Sequence, residues 1–81
     1  MLNSILENYP DETFLIADGF DKAVIGFDIH SMRLIYSVAK CVEILEEDMS
    51  SEDALEHFNY NVSSGYVGEK TPIWCYDLDL V

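Results

Sequence analysis

Basic residues are the scarcest chemistry in this chain. Four Lys and Arg stand against sixteen Asp and Glu among 81 residues, a formal charge of −12. That shortage excludes sequence-tolerant nucleic-acid binding, which needs cations to neutralise phosphates, and it disfavours anionic membrane surfaces. Cysteine is scarce too: two residues, Cys41 and Cys75, cannot make a disulfide scaffold. No apolar run approaches the length of a membrane span, since residues 14–17 and 23–27 are strand-sized. The first twelve residues hold no basic side chain and no apolar stretch like that of a signal peptide. The expectation is a cytoplasmic protein with reduced thiols.

What is present is enough to fold. Hydrophobic residues make up 49% of the chain, far more than a disordered acidic tail carries. The length suits one domain over residues 1–81 with a single modest core. Residues 37–60 organise it. They hold two short amphipathic segments broken at Met49-Ser50-Ser51. At 100° per residue Val38, Cys41, Val42, Leu45 and Met49 share one side of the first, with Ile44 at its margin and Glu43 and Glu47 opposite. In the second, Ala54, Leu55, Phe58 and Val62 share an arc, with Glu52, Asp53 and Glu56 facing away. Ser37 and Ser50 are the N-caps, and the acids after Ser50 complement the helix dipole by about 0.3–1 kcal/mol each.

Around this hairpin, Leu2, Ile5, Leu6 and Tyr9 predict a short helix over 3–9, capped by Asn3 or Ser4 and stopped by Pro10. Residues 13–17 are either a buried strand or an extended connector, which periodicity does not decide. Asp18-Gly19-Phe20-Asp21 is a turn signal. Residues 22–29 and 32–36 read as a β-hairpin joined across His30-Ser31, with Val24 and Gly26 on one side and Ile25 and Phe27 on the other. Gly26 in mid-strand marks a bulge or a close approach. The second acidic helix should end near Asn61, and Ile73-Trp74-Cys75-Tyr76 alternates as a last strand. The residues from Asp77 to Val81 read as a fraying tail. Together these predict an α+β fold: a three-stranded, mainly antiparallel sheet, a helical hairpin on one face, and a short N-terminal helix.

Four stretches, 18–28, 33–45, 49–61 and 65–74, are familiar as a set: DGFDKAVIGFD, RLIYSVAKCVEIL, MSSEDALEHFNYN and GYVGEKTPIW. Together they resemble a widespread family of small acidic proteins from tailed bacteriophages and their bacterial hosts. The resemblance spans about residues 18–74. It implies a phage or prophage setting and brings no activity and no catalytic residue with it.

The residues themselves offer little chemistry. Cys41, Cys75, His30 and His57 lack the tight ligand pairs of structural zinc sites, so the expectation is no metal. A nucleophilic cysteine needs nearby positive charge, and this background is acidic. No serine sits in a nucleophile elbow. Asp18, Asp21 and Asp28 resemble paired carboxylates, but turn chemistry explains two of them. Residues 65–71 end in Lys-Thr without phosphate-loop spacing. The expectation is therefore no catalysis and no cofactor.

The acid remains. Glu43, Glu46, Glu47, Asp48, Glu52, Asp53 and Glu56 occupy fourteen residues with no Lys or Arg between them. Helical acids three or four apart repel by a few tenths of a kcal/mol, roughly 0.2–0.5 per pair. A charge run is usually a solvated face. As a functional surface it fits a basic protein partner, including a nucleic-acid-binding protein whose groove it would fill in place of phosphates. Tyr60, Trp74 and Tyr76 form a second candidate surface, for self-association into a homodimer through an open sheet face.

Overall fold

A computed structural model describes residues 1–65 and 67–77. Residues 2–8 (Leu2–Asn8) form α1, and a 3-10 turn over Asp21–Ala23 leads into β1 (Val24–Asp28). Next come β2 (Arg33–Ser37), α2 (Val38–Leu45) and α3 (Ser51–His57). A π-helical turn over Phe58–Val62 continues α3, and β3 is Ile73–Cys75. The α+β class, the three-stranded sheet, the helical hairpin and the short N-terminal helix are all present. Among the described residues no helix is long and apolar enough to cross a membrane.

The strand order is β1-β2-β3. β1 and β2 pair antiparallel, as their hairpin requires, but β3 lies parallel to β2, so the sheet is mixed. The alternation of Ile73 to Tyr76 reads identically in either direction. What sets it is the connection: residues 38–72 are long enough for the crossover that a parallel neighbour needs.

Gly26 marks a bulge. Val24 opposes Tyr36 while Gly26 opposes Ile35, so Ile25 is the extra residue. A Cβ on Gly26 would meet nothing within 4 Å, so no element approaches it closely. The bulge corrects the simple alternation: Val24 and Phe27, opposite Tyr36 and Leu34, now share a face.

That face carries the core. Leu34 and Tyr36 are fully buried there, with Leu2, Ile5, Phe14, Phe20, Val24, Val38, Cys41 and Phe58. Phe27 takes Tyr9 and Phe14 edge-on, with ring centroids 5.0 and 5.9 Å away. Residues 13–17 are extended connector rather than strand. Their backbone is tied to the sheet where the Ala17 N–H donates to the Tyr36 hydroxyl at 2.7 Å. On the opposite face Gly26, Ile35 and Ile73 lie in register across the three strands, and the two isoleucines stay half-exposed.

The hairpin turn is built from Asp28, whose carboxylate accepts from the Ser31 N–H at 3.1 Å and the Ser31 hydroxyl at 2.6 Å. Those bonds, the side-chain one foremost, hold the Asp28 carboxyl below its ordinary range. Met32 closes the turn at φ 57, a left-handed conformation a methionine seldom adopts. α1 starts one residue earlier than its sequence pattern suggests. Its N-cap is Met1, without a side-chain cap, so neither Asn3 nor Ser4 fills that role.

The expected fraying tail is corrected at its first residue. Asp77 is half-buried, and the buried Ser37 hydroxyl donates to its carboxylate at 2.7–2.8 Å. The same Ser37 oxygen accepts from the Lys40 N–H at 3.1 Å, capping α2 as expected. The rest of that tail, residues 78–81, lies outside the described residues.

Candidate docking surface on the helical hairpin

Both serine caps form where the sequence places them. Ser50 is extended, at ψ 163, and its side chain accepts from the Asp53 N–H at 3.1 Å. That break turns the chain between α2 and α3, and the two helices pack against each other. α2 buries Val38 and Cys41, and α3 buries Ala54. The α-helix ends at His57, earlier than the expected end near Asn61. The chain then widens into the π turn, where the Ser63 N–H donates to the Phe58 carbonyl at 2.9 Å.

The seven acids of the run do not share a single face. Glu43 and Glu46 line an open groove of about 370 Å³ between the helices, together with Val38, Ala39, Val42, Leu55 and Tyr76. Glu52 and Glu56 flank the other side of Leu55, together with Tyr60. Asp53 turns toward Met49 and His57, with Glu56 and Tyr60 still adjoining. Glu47 lies in the turn after α2, in a cleft with Asp21 and Lys22. Asp48 is exposed in the turn that follows α2. The physical reason is the end of the helix: α2 stops at Leu45, and Glu47, whose N–H donates to the Ile44 carbonyl at 3.3 Å, already lies in the turn beyond it. Five acids thus surround Leu55 and Tyr60, while Glu47 shares its cleft with a lysine.

Two of the four cations are already engaged. Arg33 Nε donates to the Thr71 carbonyl at 2.6 Å, and Lys70 Nζ donates to the Ser31 carbonyl at 3.1 Å. Both bonds fasten the segment before β3 to the hairpin. Lys40 is exposed on α2.

Leu55 is the residue that sequence reasoning missed. Its arc predicts burial with Ala54 and Phe58, yet it is 42% exposed between two acidic grooves. Tyr76 is 63% exposed and Tyr60 75%. Fully burying a leucine from complete exposure is worth about 1.5–3 kcal/mol, so covering the exposed part of Leu55 offers a partner a fraction of that gain. The signal was faint but present: Leu55 lies about 100° from Ala54, at the rim of the apolar arc rather than its centre.

Trp74 does not join that surface. It is half-buried against Tyr36 and Phe58, with ring centroids 5.2 and 5.4 Å away. Its indole N–H is buried and has no acceptor among the described residues. The expected self-association trio of Tyr60, Trp74 and Tyr76 is therefore divided, since Tyr60 and Tyr76 stand by the acidic helices and Trp74 serves the core.

The candidate chemical groups are dispersed. Cys41 is buried, and that burial, with the Asp77 carboxylate adding to it, pushes its thiol up to about 12. Such a thiol is protonated and unreactive at neutral pH. Cys75 is half-buried on β3, and His30 is exposed in the hairpin turn. His57 is exposed at the end of α3, with Nδ1 3.3 Å from the Asn61 amide. Among the described residues no group of three or more His, Cys, Asp and Glu is arranged to hold a metal ion.

No family model matches the chain, and neither does any curated protein or solved structure.

Proposed function

We propose that the chain is a small non-enzymatic binding module that engages a basic protein partner through its acidic helical hairpin. The observation that carries this reading is Leu55. It is an exposed apolar side chain with Glu43, Glu46, Glu52 and Glu56 bordering the grooves on its two sides. Charge steers association and excludes wrong partners, while buried apolar anchors supply most of the affinity. One surface here offers both. The phage or prophage setting comes from the sequence resemblance alone. In that setting the module is an accessory protein of the bacterial cytoplasm that engages or inhibits a host protein, nucleic-acid-binding proteins being the most cationic class available.

The test is reversal of Glu43, Glu46, Glu52 and Glu56 to Lys, followed by capture from bacterial lysate at low and high salt. Wild type should retain a salt-sensitive partner that the reversed protein loses, with the circular dichroism spectrum unchanged. Equal capture by both proteins would overturn the reading.

A second reading has its own observation. The sheet face bearing Gly26, Ile35 and Ile73 has half-exposed aliphatics outside the core cluster, a surface that a second copy would cover. A monomer by sedimentation at micromolar concentration removes this alternative.

A further inference from the structure

We infer that the groove between α2 and α3 receives a single amphipathic helix of the basic partner. Its apolar row would seat on Val38, Val42, Leu55 and Tyr76, and its Lys and Arg side chains would reach Glu43 and Glu46. This rests on the binding-module reading and goes further, because it names where the contact lies and what shape it takes.

Three features support it. The groove has apolar walls and an acidic rim, so its occupant must present apolar and cationic groups on one element. Its walls come from three parts of the chain: α2, α3 and the residue after β3. The Asp77 latch to Ser37 anchors the backbone beside Tyr76 and so brings this part of the chain to the groove. Its length follows from α2, whose eight residues span roughly 12 Å at the rise of a helix. That matches about two turns of an occupant and so two or three anchors at three-four spacing. A helix lying in the groove of two packed helices satisfies its own backbone hydrogen bonds. An extended strand would need backbone partners, and α2 and α3 have already used theirs internally. Glu43 and Glu46 are three apart on α2 and repel each other, so a cation placed between them relieves that repulsion.

The test uses two fluorescein-labelled peptides of fourteen residues built from Leu and Lys in equal numbers. In one, Leu recurs at helical three-four spacing; in the other the same residues are scrambled so that no apolar face forms. Fluorescence anisotropy with the full chain should show the helical peptide binding about tenfold tighter, which is about 1.4 kcal/mol. Leu55→Ser with Tyr76→Ser should remove that advantage, and because both side chains are exposed the fold should persist by circular dichroism. Glu43→Gln with Glu46→Gln should weaken binding more than Glu47→Gln with Asp48→Asn, although each pair removes the same charge. Equal binding of the two peptides, or an unchanged advantage in the Leu55 and Tyr76 variant, would overturn the groove while leaving the charge-based reading intact. Binding of neither peptide would overturn both.

Discussion

Replacing Ser37 with Ala removes two interactions that depend on one oxygen. The first is the cap: the Lys40 N–H loses its acceptor at 3.1 Å. Such losses cost about 1 kcal/mol. The second is the bond from the Ser37 hydroxyl to the Asp77 carboxylate at 2.7–2.8 Å. A hydrogen bond to a charged group is worth about 1.5–3 kcal/mol, and Asp77 is half-exposed, so water recovers part of it and the low end applies. The sum is about 2–3 kcal/mol for Ser37→Ala. Asp77→Ala removes only the second interaction and should cost about 1.5 kcal/mol. The double variant should be no worse than Ser37→Ala alone, because the latch can be lost only once. Urea denaturation followed by circular dichroism reads these values, and in a domain of this size each kcal/mol moves the melting temperature by about 4–8 °C. A neutral Asp77→Ala, within about 0.5 kcal/mol, would refute the latch. Full additivity of the two variants would refute the shared oxygen.

Two further outcomes follow from the core. The Cys41 thiol titrates at about 12 when folded, against 9.0 for the ordinary group, so between those values the native state holds a proton that the unfolded chain has lost. Stability should therefore fall as pH rises from 9 toward 12, by up to about 1.4 kcal/mol per pH unit, and Cys41→Ala should flatten that slope in urea melts taken across the range. Tyr36→Phe leaves the Ala17 N–H without its 2.7 Å acceptor and should cost about 1–2 kcal/mol by the same melts, whereas an unchanged midpoint would show that the connector is not tied there.

Local chemistry was legible at several places where a residue acts on its neighbours in sequence, though not at α1, whose N-cap is Met1 rather than Asn3 or Ser4. Ser37 and Ser50 cap α2 and α3 because each serine hydroxyl oxygen accepts from the N–H three residues on, a contact set within one turn of the chain. The hairpin was readable for the same reason, since strand propensity is a local signal; the mid-strand Gly26 left a bulge and a close approach open, and only the strand register decided for the bulge. The acidic run was visible as composition, but its division was not. Glu47 leaves the group because it lies past the end of α2, in a turn that sits beside the 3-10 turn over Asp21–Ala23, and only packing fixes which neighbour such a turn meets.

The sequence by itself determined most of the helices and strands, the caps at Ser37 and Ser50 and the excess of negative charge, because each arises from a side chain and the backbone within a turn of it, while it left residues 13–17 and the meaning of Gly26 open. The tertiary structure alone decided that β3 runs parallel to β2 and that Trp74 belongs to the core. It also decided that Leu55 and Tyr76 meet at an acidic groove, and that Asp77 ends the sheet on Ser37 rather than fraying. Those outcomes join residues some twenty to forty positions apart, and such contacts are selected by which surfaces can be buried together, a quantity no window of the sequence contains.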